Sequence, residues 1–223
     1  MSETIPGAEQ VREPVLSPVD RVSEMLFGLF MALTFVGAVS VADSGDAQIR
    51  SMFIAALGCN LAWGLVDAVM YLVRTVTERG RQLTLFGSVR SAADADTGRR
   101  LIASSLSRVA AGLLSAAEIE AIRARIVALT SVPARPKLNR DDVLAALAIF
   151  LIVVAATFPV VLPFAMIDEV AAAKNVSRAV ALAMLFGGGL ALGRYAGYGS
   201  WKVGLMMAGL GAVLVVAINA LGG

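Results

Sequence analysis

The stretch "VLAALAIFLIVVAATFPVVLPFAMI", Val143 to Ile167, runs for 25 residues without a charged side chain. A helix rises about 1.5 Å per residue, so this stretch is long enough to cross the ~30 Å hydrocarbon core of a bilayer. The whole chain agrees with it. Hydrophobic residues make up 58% and charged residues 16%, with a mean hydropathy of +0.78. That is the composition of a membrane protein. Four more apolar stretches have spanning length: about Val22 to Ala42, Met52 to Val73, Val176 to Tyr195 and Val203 to Leu221. The expected fold is an all-α integral membrane protein with five transmembrane helices.

Residues 1–21 are polar and Pro-bearing, without the basic start and early apolar core of a signal peptide, and read as a flexible tail. Residues 22–73 then carry spans one and two, 74–142 an insert, and 143–223 spans three to five. The charges orient this arrangement. Of the 19 Lys and Arg residues, sixteen fall in the tail, the insert and the loop between spans four and five, and the other three are Arg50, Lys174 and Arg178. By the positive-inside rule the N-terminus is cytoplasmic and the C-terminus lies on the opposite side. A bacterial inner membrane is the expected location.

The insert has a pattern of its own. Leu101, Ile102, Leu106, Val109, Leu113 and Leu114, then Ile119, Ile122, Ile126 and Leu129, follow helical periodicity. Ser115 followed by Glu118 reads as a capping box opening a second helix. A cytoplasmic helical hairpin at the membrane surface is expected, between spans two and three.

Histidine is absent and there is one cysteine, Cys59, in an apolar stretch. This excludes an internal disulfide, His-based metal sites and Ser-His-Asp triads. No nucleophile sits beside a base, so no enzyme is expected, and no cofactor. Nothing points to nucleic acid.

A carboxylate at the centre of a membrane helix costs about 2.5–3.5 kcal/mol and calls for a reason. Asp67 lies inside span two. Asn60, Trp63, Gly64, Asp67, Met70 and Arg74 share a helical stripe. Two readings stand: Asp67 lines a cation path, or it is held by a structural hydrogen bond or by Arg74. Asn60 reads as a path residue or as interhelical glue. Glu24, at the cytoplasmic mouth of span one, is a path residue or a solvated helix end. Met31 and Met70 could offer soft thioether ligands or simply pack. Asp43, Asp46, Asp168 and Glu169 gather at the outer turns, as cation attractors or as solvated loop residues.

Pro159 and Pro163 each remove a backbone donor, leaving the carbonyls of Ala155 and Pro159 without their helical partners. In hydrocarbon, protein groups or water must replace them. The expectation is a break that either lines a wet cavity or only shapes the helix, with Thr157 able to supply a hydroxyl. Gly187 to Gly189, Gly193, Gly197, Gly199, Gly204, Gly209 and Gly211 predict close contact of spans four and five.

The order of two spans, a cytoplasmic insert and three spans resembles the vacuolar iron transporter family. So does "FPVVLPF" at the end of span three, and so does the glycine-rich "FGGGLALGRYAGYGSWKVGLMMAGLGAV" with Trp201 before the last helix. The resemblance covers about Val22 to the C-terminus. It implies a homodimer exchanging ferrous, manganous or similar divalent ions for protons. It also implies a path of acidic and methionine residues in spans one and two, with metal gathered by glutamates of the insert. On this sequence it points to Asp67, Met31 and Met70 as metal ligands and Glu24 at the entrance. The family's Asn-Asp-Gly after Phe-Gly is replaced here, since Phe27 and Gly28 are followed by Leu29. The insert offers only Glu118 and Glu120 as neighbouring glutamates. The expected function is therefore divalent-cation transport by a divergent member. The alternative is a non-transporting scaffold or accessory protein whose basic hairpin binds anionic lipid or a protein.

Overall fold

The computed structural model describes residues 16–38, 46–197 and 199–220. The tail up to residue 15 and the first outer turn with Asp43 lie outside the described residues, as does the side chain of Asp46. Every regular element among the described residues is a helix. In chain order these are α1 Pro18–Ala38, α2 Asp46–Arg90, α3 Ala95–Ser105, α4 Arg108–Leu113, α5 Ala116–Ala128, α6 Arg140–Val161, α7 Pro163–Met166, α8 Val170–Ala196 and α9 Ser200–Ala220. Three of them, α6, α8 and α9, are long and apolar enough to cross a membrane. The chain divides into two compact units, Met1–Met70 with Asp141–Gly223, and Tyr71–Arg140.

The first unit is held by an apolar core and by glycines. Leu26, Leu29, Leu33 and Val36 of α1 pack with Ala156 and Val160 of α6 and with Ala181 and Leu185 of α8. Where lipid is as apolar as leucine, helices associate through close packing, which favours small residues at the contact. The glycines divide sharply on this point. A Cβ on Gly189 would lie 2.7 Å from the Val203 carbonyl oxygen and 2.8 Å from the Gly204 Cα, so α8 and α9 touch backbone to backbone. Gly193 and Gly211 are equally enclosed by the partner helix, and Gly188 receives Met25 and Leu26 of α1. Gly187, Gly199 and Gly209 face open space instead. Gly197, with φ of +71°, ends α8 in the left-handed region.

The expected proline break takes a specific form. Pro159 stays inside α6, and the helix ends two residues later at Val161. Leu162 still donates its N–H to the Phe158 carbonyl at 2.9 Å, and Pro163 opens α7 at a position where no N–H is required. The carbonyl that receives side-chain help is that of Val160, which accepts from the buried hydroxyl of Ser177 on α8. Thr157 has another partner, described below.

The second unit is small and polar on its surface. Val89 at the end of α2, Ile102 of α3 and Ile126 of α5 form its core. The helix α2 runs on without a break past the apolar run that ends at Val73 to Arg90, because its Arg, Glu, Gln and Leu residues are good helix formers whether or not lipid surrounds them. The periodic run from Leu101 to Leu114 is two helices rather than one. Leu106 leaves α3 in extended geometry, and the Ser107 side chain accepts the Ala110 N–H to begin α4. Ser115 and Glu118 form the capping box at the start of α5. Glu120 ties α5 to α3, accepting from Arg99 at 3.0 Å and from Arg123 at 2.6 Å. These two guanidinium groups, Arg123 foremost, hold the Glu120 carboxyl down at about 2, from an ordinary value of 4.5.

Two predictions follow from this packing. Gly189→Ala forces two backbones apart and lowers the thermal midpoint in detergent, whereas Gly187→Ala gains roughly 0.5–1 kcal/mol of helix propensity and raises it. For Glu120 the depressed folded-state value means that its contribution is complete above pH 4.5 and is lost as pH falls toward 2. Hydrogen exchange in α3 and α5 accelerates over that window, and Glu120→Gln removes the pH dependence.

Candidate functional site

Two independent contacts set the depth of α1 against α2. A Cβ on Gly28 would meet the Val153 carbonyl oxygen at 2.9 Å and its Cα at 3.2 Å. A Cβ on Gly64 would meet the Phe150 ring at 3.3 Å and the Val153 Cβ at 3.5 Å. Both glycines therefore press on the same turn of α6. The Phe27 and Trp63 rings meet edge to face, with centroids 6.4 Å apart, and give the same register.

Each of these glycines has an acidic residue one turn away. Glu24 precedes Gly28 by four residues on α1, and Asp67 follows Gly64 by three on α2. Both also keep to the helix face that meets α6. Glu24 and Asp67 are each partly buried, and the Asp67 Oδ2 atom is shut off from solvent.

Two turns from Asp67 along α2 lies a polar tie. Asn60 is 3% exposed and donates from Nδ2 to the Thr157 hydroxyl, which in turn donates to the Val153 carbonyl at 3.1 Å. Asn60 thus links α2 to α6 immediately before Pro159. Its carboxamide is engaged, which is the interhelical role open to it from the sequence.

The methionines do not gather around the acids. Met70 is 46% exposed, a turn beyond Asp67. Met31 is partly buried, seven residues past Glu24, or roughly 10 Å along the helix. Met31 and Met70 therefore stand seven and three residues from the acidic residue of their own helix. Among the described residues no group of three or more acidic or cysteine side chains could hold a metal ion. Glu24 and Asp67 each offer hard carboxylate oxygen, which suits a divalent cation or a proton.

The insert offers no further ligands. The Glu118 carboxylate accepts the Ser115 N–H at 2.8 Å and its hydroxyl at 2.7 Å, which pulls its protonation below the usual carboxylate range. Glu120 is committed to Arg99 and Arg123. Both neighbouring glutamates therefore serve the helices they stand on.

Two features were not read from the sequence. Lys174, counted there among outer-loop charges, is buried in the second turn of α8, because that helix begins at Val170 rather than near Val176. Ser177, one turn on, supplies the hydroxyl for the Val160 carbonyl. The small residues Ala173, Ser177 and Ala181 at four-residue spacing mark this buried face and could have revealed it. Arg178 beside them donates to Asn219 Oδ1 of α9 at 2.7 Å.

No family model matches the chain, and no curated protein matches it either.

The Asn60–Thr157 bond should couple two helices rather than serve a ligand. In a double-mutant cycle of Asn60→Ala and Thr157→Val, unfolding in detergent should give a coupling of about 0.6 kcal/mol, the usual size for such bonds in membrane proteins. Strict additivity of the two changes would remove the bond from the account.

Proposed function

We propose that this chain is a five-span membrane transporter of the vacuolar iron transporter type, moving a divalent cation such as Fe²⁺ or Mn²⁺ in exchange for protons, as a homodimer. The observation that carries the reading is that Glu24 and Asp67 are each partly buried and each one turn from a glycine packed on the Val153 turn of α6. A carboxylate inside an apolar bundle is expensive, and exchange of a cation or proton is a function that would justify it. In this reading α1 and the first part of α2 are the first two spans. The N-terminus and the basic insert are cytoplasmic, and the C-terminus lies across the membrane.

The residues then have distinct tasks. Asp67 and Glu24 hold the ion through oxygen. Asn60 and Thr157 fix α2 against α6 two turns from Asp67 and so hold the helix that carries it. Met31 and Met70 are weak secondary contacts along the path rather than members of one coordination shell. This favours harder divalent ions over soft monovalent ones.

The test is uptake of Mn²⁺ and Fe²⁺ into vesicles reconstituted with the full chain, under an imposed pH gradient. Asp67→Asn and Glu24→Gln should each slow the initial rate by about tenfold or more, equivalent to ~1.4 kcal/mol of barrier. Their thermal midpoints should stay near that of the parent. Absence of metal-dependent flux at every pH gradient rules transport out. The accessory-protein reading would then take its place.

A further inference from the structure

The six-residue helix α4, Arg108–Leu113, buries none of its residues. Val109 and Leu113 stand one turn apart on a single face and are 72% and 79% exposed. The other exposed aliphatic side chains of this unit, Val73, Val127, Leu129 and Leu138, are covered much further. Serines bracket the segment. Ser107 caps α4 and Ser115 caps α5, so the apolar turn is held as a defined helix rather than a loose loop.

The charge around it is one-sided. Between Tyr71 and Arg140 there are twelve Lys and Arg against five Asp and Glu, a net +7. All five carboxylates are engaged at home. Glu78 pairs with Arg81, Asp96 with Arg99, and Glu120 with Arg99 and Arg123. Asp94 and Glu118 serve helix N-termini. Arg90, Arg108, Arg125, Arg135 and Lys137 are exposed and have no carboxylate partner among the described residues.

Within the second unit, the path of the chain brings α4 back along α2 toward its Tyr71 end. Ile102 of α3 packs on Val89, and Ser105 lines a surface groove with Glu78, Arg81, Thr84 and Leu85. So α3 returns along α2, and α4 starts three residues later. Close to the same level, the Arg79 guanidinium donates to the Lys137 carbonyl at 2.6 Å, just before α6 begins at Arg140. From Val73, the last residue of the apolar run of α2, to Gly80 is about 10 Å of helix rise.

We propose that α4 is a membrane-surface anchor, with Val109 and Leu113 inserted at the headgroup boundary of a bilayer containing anionic phospholipid. Arg108 and the other unpaired cations of the unit meet the lipid phosphates. The apolar pair alone is too small to hold a free domain on a bilayer. The unit is tied at both ends to helices of the other unit, so it needs only a weak bias to stay down. Lipid composition then controls whether the unit lies on the membrane or stands off it. This inference does not depend on transport.

The test uses the full chain in nanodiscs, in a Cys59→Ser background. Leu113→Cys carries an environment-sensitive fluorophore, and Ser131→Cys serves as the aqueous reference. In discs of phosphatidylcholine mixed with phosphatidylglycerol, the probe at 113 shifts to the blue and is quenched by spin-labelled lipid, while the probe at 131 is not. Pure phosphatidylcholine or added Arg108→Glu weakens both signals several-fold. As a label-free check, amides of 108–113 in the parent exchange more slowly in anionic discs. Equal behaviour of the two probes in both lipids overturns the proposal. So does a shift that appears in detergent and grows with protein concentration, which would mean that a second copy covers α4.

Discussion

The arrangement of the first unit depends on one crowded point, the turn of α6 around Val153. Gly28 of α1 and Gly64 of α2 both approach it so closely that neither position has room for an unhindered methyl group. In a membrane this kind of contact does what apolar burial does in water. Lipid tails solvate leucine as well as protein does, so dispersion between close backbones decides which faces meet. Fixing Gly28 and Gly64 on one turn also fixes everything at set distances from them. Glu24 and Asp67, one turn along from those glycines, are held by the same packing. The same physics recurs at Gly189, Gly193 and Gly211, where α8 and α9 touch.

Hydroxyls and a carboxamide complete what the glycines begin. The Thr157 hydroxyl bonds the Val153 carbonyl and accepts from Asn60, so the crowded turn of α6 is also its polar hinge. Ser177 supplies the Val160 carbonyl near the end of the helix. Each bond joins different helices or secures a carbonyl in surroundings where no water competes. Pro159 sits between the two, and α6 continues for two residues past it.

Much of this was legible in the chain. The uncharged run from Val143 to Ile167 gave the apolar helix α6, and Ser115 with Glu118 gave a helix start that the structure contains. Other features were hidden for physical reasons. Composition marks where charges begin on α2 but not where its backbone hydrogen bonding stops, so its continuation to Arg90 was invisible. The interruption at Leu106 and Ser107 depends on one serine cap that periodicity ignores. Lys174 looked like a loop charge because hydropathy penalises it, although small neighbours let its helix bury it. The approach of Gly28 and Gly64 to one turn of α6 is a non-local fact. It needs a third helix to act as the ruler, and neither local sequence contains it.

The most direct measurement asks whether residues 24 and 67 are neighbours within one chain. The double variant Glu24→Cys with Asp67→Cys, in a Cys59→Ser background, should be joined by a short thiol crosslinker and give a single intramolecular bridged peptide by mass spectrometry. The pair Met31→Cys with Asp67→Cys, two turns out of register, should remain unbridged. Efficient bridging of the second pair and none of the first would contradict the register at Val153 and, with it, the acidic site.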